Sequence, residues 1–199
     1  MRPSQTYVKP ALRGSVKSGA ILGLGAAWAI FGLVLAAGAQ LGLPPGTFYE
    51  MVGVSLGQSA EWPAIYLGFV LHMMTGAIIG IVYMIISDRI RLLRTFSTLR
   101  WFGTGVSTGI VVWAVLFVPL HFFLVQPALQ NMLLTSPEGS AMQVRAERLG
   151  QMSDSILYGA LAIHFIFGSI LGLLARIVTS SRDVAEAKRP GVKRYDAAA

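Results

Sequence analysis

Long apolar runs separated by short polar stretches set the pattern of this chain. Four runs, at about 18–42, 63–87, 103–126 and 155–178, each reach the roughly 20 residues needed to cross a bilayer core. Within them the only Asp, Glu, Lys or Arg is Arg176, near the end of the last. In lipid, backbone N–H and C=O groups must bond inside their own segment, so each run predicts a helix. The expected fold is all-α: a polytopic membrane domain over 18–178 with four transmembrane helices. A polar lead over 1–17 precedes it. The tail over 179–199 lacks an apolar pattern and is expected to be disordered.

A finer pattern lies inside the second and fourth runs. Tyr66-x5-His72-x3-Gly76-x3-Gly80 returns 92 positions later as Tyr158-x5-His164-x3-Gly168-x3-Gly172. Residues four apart share a helix face, so Gly68, His72, Gly76 and Gly80 form one stripe. Ala160, His164, Gly168 and Gly172 form its copy. Small residues at this spacing let two helices approach closely in lipid, and the GxxxG pairs Gly19/Gly23 and Gly105/Gly109 carry the same signal. The odd runs echo each other more faintly, Trp28-Ala29 against Trp113-Ala114. Two crossings return the chain to its starting side. The pattern therefore predicts two parallel two-helix repeats related by an axis along the membrane normal.

Connections and charge add topology. Thr47–Val52 is expected as a short interfacial helix, 88–100 as a basic connector with apolar residues on one side, and 127–154 as a long loop. Ser136-Pro137-Glu138 reads as a helix start within that loop. Of the 16 Lys and Arg, all but Arg145 and Arg148 fall on one side of the four runs. The positive-inside rule puts that side, with both termini, in the cytoplasm of a cell (plasma) membrane. The net charge of +7 is then an orientation signal rather than a mark of nucleic-acid binding. Lys17, the first apolar run and Ala37-Gly38-Ala39 resemble a cleavable leader, but the run outlasts a usual leader core of 7–15 residues. It is expected to stay as a helix.

Only 13% of residues are charged, against about 25% in soluble domains, and the chemistry on offer is correspondingly thin. With no cysteine, disulfides, thiolate ligands and cysteine nucleophiles are excluded. No phosphate loop, dinucleotide fingerprint or nucleophile triad is legible. All three histidines fall in the apolar runs. His72 and His164 lie about 14 Å from one membrane face and His121 about 7 Å. Buried imidazoles in lipid need partners. Three readings stand. Each neutral His locks helix packing through one hydrogen bond. Or His72 and His164 ligate a haem b iron, or the three histidines hold Cu or Zn. Or the polar groups near Thr75, His121 and Pro119 line a path for a small solute or lipid. No intramembrane carboxylate completes a metal shell or a proton relay. Pro119 is expected to kink the third helix, and Trp28 and Trp113 to serve as packing residues. The expected function is therefore non-enzymatic and cofactor-free: an accessory, structural or oligomeric component of a larger membrane assembly, with lipid as its main partner.

One resemblance can be drawn. Leu71-His72-x3-Gly76-x3-Gly80-x2-Tyr83, Gly109-x3-Trp113-x5-Pro119 and His164-x3-Gly168-x3-Gly172 look like motifs of a loosely defined group of small four-helix membrane proteins in bacteria and archaea, of unknown function. It covers about residues 60–178. The resemblance implies the four-helix fold and carries no activity.

Overall fold

The structure, a computed structural model, describes residues 12–90 and 97–187, and no strand occurs among them. Six helices follow one another: α1 (Leu12–Gln40), α2 (Thr47–Ser55), α3 (Trp62–Arg89), α4 (Thr98–Thr135), α5 (Ala141–Gln151) and α6 (Ser153–Ala187). α1, α3, α4 and α6 are each long and apolar enough to span a membrane. They run past the expected limits. α1 begins within the segment read as a polar lead, and α6 continues into the segment read as disordered tail. The remainder of the lead and tail, and most of the apolar side of the connector, lie outside the described residues.

α1 packs on α3, α4 packs on α6, and α1 meets α6 between them. The first two contacts are made by glycine. A Cβ at Gly23 would fall on the carbonyl of Gly76, and one at Gly80 within 2.6 Å of the Gly23 backbone. In the second pair, a Cβ at Gly105 would fall on the carbonyl of Gly168, and one at Gly172 on that of Trp101. Gly105 and Gly109 thus stand to Gly168 and Gly172 as Gly23 and Ala27 stand to Gly76 and Gly80. In this spatial match Trp113 has no counterpart in Trp28, so the tryptophan echo in the sequence pairs residues that are not equivalent. Leu22, Ala26, Tyr83, Met84, Trp101, Phe167 and Leu171 form the core where the four long helices converge.

α4 continues unbroken through two prolines. Pro119 and Pro127 lack the N–H that would bond Val115 and Phe123, and each ring would clash with that carbonyl. The helix widens instead of breaking. Trp113–Phe117 and His121–Val125 are π-type turns, in which Val118 N–H bonds the Trp113 carbonyl and Gln126 N–H the His121 carbonyl. Each wide turn ends two residues before a proline, so the hydrogen-bond ladder is carried past Pro119 by local widening. It also explains why the helix carries on to Thr135 where a loop from residue 127 was expected.

The segments between the spans on the other side, called here the loop side, are folded into a cap. α2 is largely buried and packs mainly on α3. It fills the groove between α1 and α3, with Phe48 3.6 Å from the place a Gly38 Cβ would take and Gly68 against the Tyr49 carbonyl. α5 starts at Ala141, later than Ser136-Pro137-Glu138 suggested. Its cap is Ser140, which accepts from Gln143 N–H (3.2 Å), while the Gln143 side chain accepts from Gly139 N–H (2.7 Å). This reciprocal Ser-x-x-Gln arrangement satisfies two orphan donors at once. Leu43 from the α1–α2 connection, with Met51, Leu129, Met132, Ala146 and Leu149 from α2, α4 and α5, builds a second core there.

Candidate functional site

The three histidines occupy different settings. His72 on α3 is half-buried, donates from Nε2 to the Ala27 carbonyl at 3.3 Å, and meets the Tyr49 ring edge-on at 5.5 Å. His164 on α6 donates from Nδ1 to its own Ala160 carbonyl at 2.7 Å and tilts against Phe117 at 5.5 Å. His121, the most buried at 2% exposure, stacks on Phe117 at 5.9 Å. Among the described residues, no three His, Asp or Glu side chains gather into a possible metal site. The three-histidine Cu or Zn arrangement therefore lacks the convergence it needs: His121 turns to α6, whereas His72 turns to α1. His72 and His164 each keep one ring nitrogen outside these bonds.

The glycine stripes divide along their length. Gly76 and Gly80 face α1, Gly168 and Gly172 face α4, and Gly68 faces α2. The repeated tyrosines, Tyr66 and Tyr158, both point outward, as does Trp28, which is 60% exposed and stacks on Phe31 rather than entering the core. Trp113 does hold two helices together, donating from Nε1 to the Leu157 carbonyl at 3.1 Å. Thr75 is half-buried.

Polar clusters that the sequence did not bring together lie toward both ends of the bundle. Ser15 Oγ donates to Asp88 Oδ2 at 2.7 Å, Arg182 approaches the same oxygen at 3.7 Å, and Arg182 also donates to the Gly14 carbonyl at 2.9 Å. This knot ties α1, α3 and α6 where the chain's ends emerge. On the loop side, Glu50 is 3% exposed and pairs with Arg145 at 2.6 Å, while accepting from Glu61 N–H at 2.8 Å. Glu61 holds a left-handed φ of 77°, costly for a residue with a side chain. The third cluster joins α4 to α6. Ser153 Oγ lies 2.9 Å from His121 Nε2, and Gln126 Nε2 lies 2.8 Å from Ser153 Oγ and 3.2 Å from His121 Nε2. The residues missed were polar ones at helix ends. A carboxylate such as Asp88, just past the end of an apolar run, was the signal available for one of them. Nothing in the sequence links Ser153 to His121.

Tyr49 is a further oddity. Its hydroxyl is buried with no hydrogen-bond partner among the described residues, and burial raises its ionisation above the ordinary phenol range.

Against this geometry the chain matches no protein-family model, no curated protein and no solved structure. The likeness to small four-helix prokaryotic membrane proteins therefore rests on its motifs alone.

Proposed function

We propose that the membrane domain is a packing scaffold, an accessory or oligomeric component of a larger assembly in a cell membrane. The observation that supports this most directly is how the chain spends its polar and small residues. Both glycine seams are used inside the chain. Intramembrane His72, Tyr83, Trp113 and His164 all bond to groups of the same chain. What remains outward is apolar, including Ile21, Trp28, Ile78, Val115 and Ile177. Such a surface suits lipid and the flat apolar faces of other membrane helices. The matching contacts of the two hairpins also support reading the domain as a duplicated two-helix unit. The experiment is mass measurement of the protein released from its native membrane in mild detergent or nanodiscs. Stable oligomers or a stoichiometric partner are expected. A protein that remains a lone monomer in native lipid defeats the scaffold reading.

A second reading keeps one specific support, the ring nitrogens that His72 and His164 leave outside their hydrogen bonds. These would serve a haem b iron in an electron-transfer subunit. A Soret band lost on His72→Ala would establish it, and a colourless protein from native membrane would remove it. The transport reading rests on the same polar groups near His121, and flux into proteoliposomes insensitive to His121→Ala would dispose of it.

A further inference from the structure

Where α4 passes the start of α6, His121, Gln126 and Ser153 close a triangle. We propose that Ser153 is a nucleophile, that His121 is its general base, and that the pair acts on acyl esters presented at the bilayer boundary. This goes beyond the scaffold reading and does not depend on it.

The third corner orients the hydroxyl. An amide nitrogen has only hydrogens to offer, so Gln126 Nε2 donates to Ser153 Oγ, and His121 Nε2 lies 3.2 Å from the same amide. With the ring proton on Nδ1, the one lone pair of His121 Nε2 is turned to Ser153. The hydrogen of the Ser153 hydroxyl is left to occupy the 2.9 Å line to His121 Nε2. That is the arrangement a serine nucleophile and its base require. The ring is fixed by packing, stacked on Phe117 with an 18° interplanar angle and edge-on to Phe122 at 5.2 Å. In triads a carboxylate fixes the imidazole; here aromatic contacts do so. The wide turn over His121–Val125 brings His121 and Gln126 onto one face, because its bonds run five residues back. Without it the two side chains would diverge. Wide turns of this type recur at functional sites.

Position selects the substrate class. Ser153 is the first residue of α6 and is half-buried, so it stands where the apolar span meets the polar boundary. The positive end of the α6 dipole favours an oxyanion forming beside it. Phe122 and Phe123, 50% and 78% exposed, face outward next to His121. An ester with its carbonyl at headgroup depth and its chains in lipid fits such a surface. In the reaction, Ser153 Oγ bonds to the acyl carbon while its proton passes to His121 Nε2. The tetrahedral intermediate collapses, the alcohol leaves and takes that proton, and an acyl-serine remains. Water then attacks the acyl carbon, giving its proton to His121, and the acid departs as Ser153 recovers its hydrogen. The sum is ester plus water giving acid plus alcohol.

The absence of native cysteine makes a clean test possible. The full-length protein in lipid vesicles is treated with a fluorophosphonate, and the adduct is mapped by mass spectrometry. In parallel, Ser153→Cys supplies a single thiol whose alkylation by iodoacetamide is followed against pH. Labelling at Ser153 is expected, falling by about 10²–10⁴-fold in His121→Gln, the range of a general base. The Ser153→Cys thiol should react well below the ordinary thiol range near pH 8.5, and adding His121→Gln should move its profile up toward that range. Because the neighbouring Asp154 and the helix dipole are the same in both thiol variants, the difference between them isolates His121. Wild-type protein unlabelled at Ser153 overturns the proposal. A thiol profile that His121→Gln does not move overturns it equally, and gel filtration of the folded variants guards against misreading a collapse.

Discussion

Tyr49 shows what one buried hydroxyl costs. It lies among Phe31, Phe69 and His72, with ring centroids 5.8, 6.0 and 5.5 Å away, and its oxygen finds no partner among the described residues. An unsatisfied buried polar group costs about 1–3 kcal/mol, while removing it together with its burden is neutral or better. Tyr49→Phe is therefore expected to raise stability by about 1 kcal/mol at neutral pH, read from unfolding in detergent. The difference should widen in alkali. Burial raises the folded-state ionisation of Tyr49, so above the ordinary phenol value near 10 the unfolded chain releases this proton first. Wild-type stability is present in full below that pH and falls as pH climbs through it, whereas Phe carries no such loss. A difference that shrinks with alkali would contradict the assignment. This residue could be seen in the sequence only as part of an interfacial helix. Its burial depends on α2 folding back between the two spans that flank it, which the apolar pattern of α2 alone does not reveal.

At the scale of elements, the seams between α1 and α3 and between α4 and α6 decide the packing. Glycine in a helix interior normally costs roughly 0.5–1 kcal/mol relative to alanine, so its repeated use needs a reason. Gly23 and Gly105 have one, since a Cβ on either meets a carbonyl of the neighbouring helix, while Gly32 has open space around it. Gly32→Ala is expected to stabilise by about 0.5 kcal/mol. Gly23→Ala and Gly105→Ala are expected to destabilise by about 1–3 kcal/mol, since overpacking forces the backbones apart. Equal effects at all three positions, measured by reversible unfolding, would show that the seams are not close contacts. The four spans were legible because hydrophobic length is a property of each segment by itself. The glycine faces were legible too, since their spacing is local. The cap was not. Its helices are short, and the partners that bury Glu50 and Leu149 come from elements distant in sequence. Likewise, proline read alone signals a break in the hydrogen-bond ladder, and only the register of the surrounding backbone shows the wide turns that carry α4 past it. Ser153 was invisible for a related reason. A serine at a helix start is ordinary, and it becomes chemistry only beside His121.

Among the described residues the molecule is asymmetric across the membrane, with a folded cap on one side and helix ends on the other. Charge predicts which side is which. In right-side-out vesicles, a single cysteine replacing Glu138 should react with a membrane-impermeant maleimide, and one replacing Ser97 should react only after the vesicles are opened. The reverse pattern would invert the topology. α4 connects the two sides as one rod of 38 residues, about 57 Å long against a hydrocarbon core of about 30 Å. Gln126–Thr135 stands at its far end, fastened to α2 and α5 by the second core. More than a third of the rod's length therefore lies beyond the hydrocarbon. A thinner bilayer is met by tilting the spans, and a 20° tilt swings the tip of a ten-residue extension sideways by about 5 Å. The span and its cap-side extension are one helix, so a change in the tilt of one is a displacement of the other.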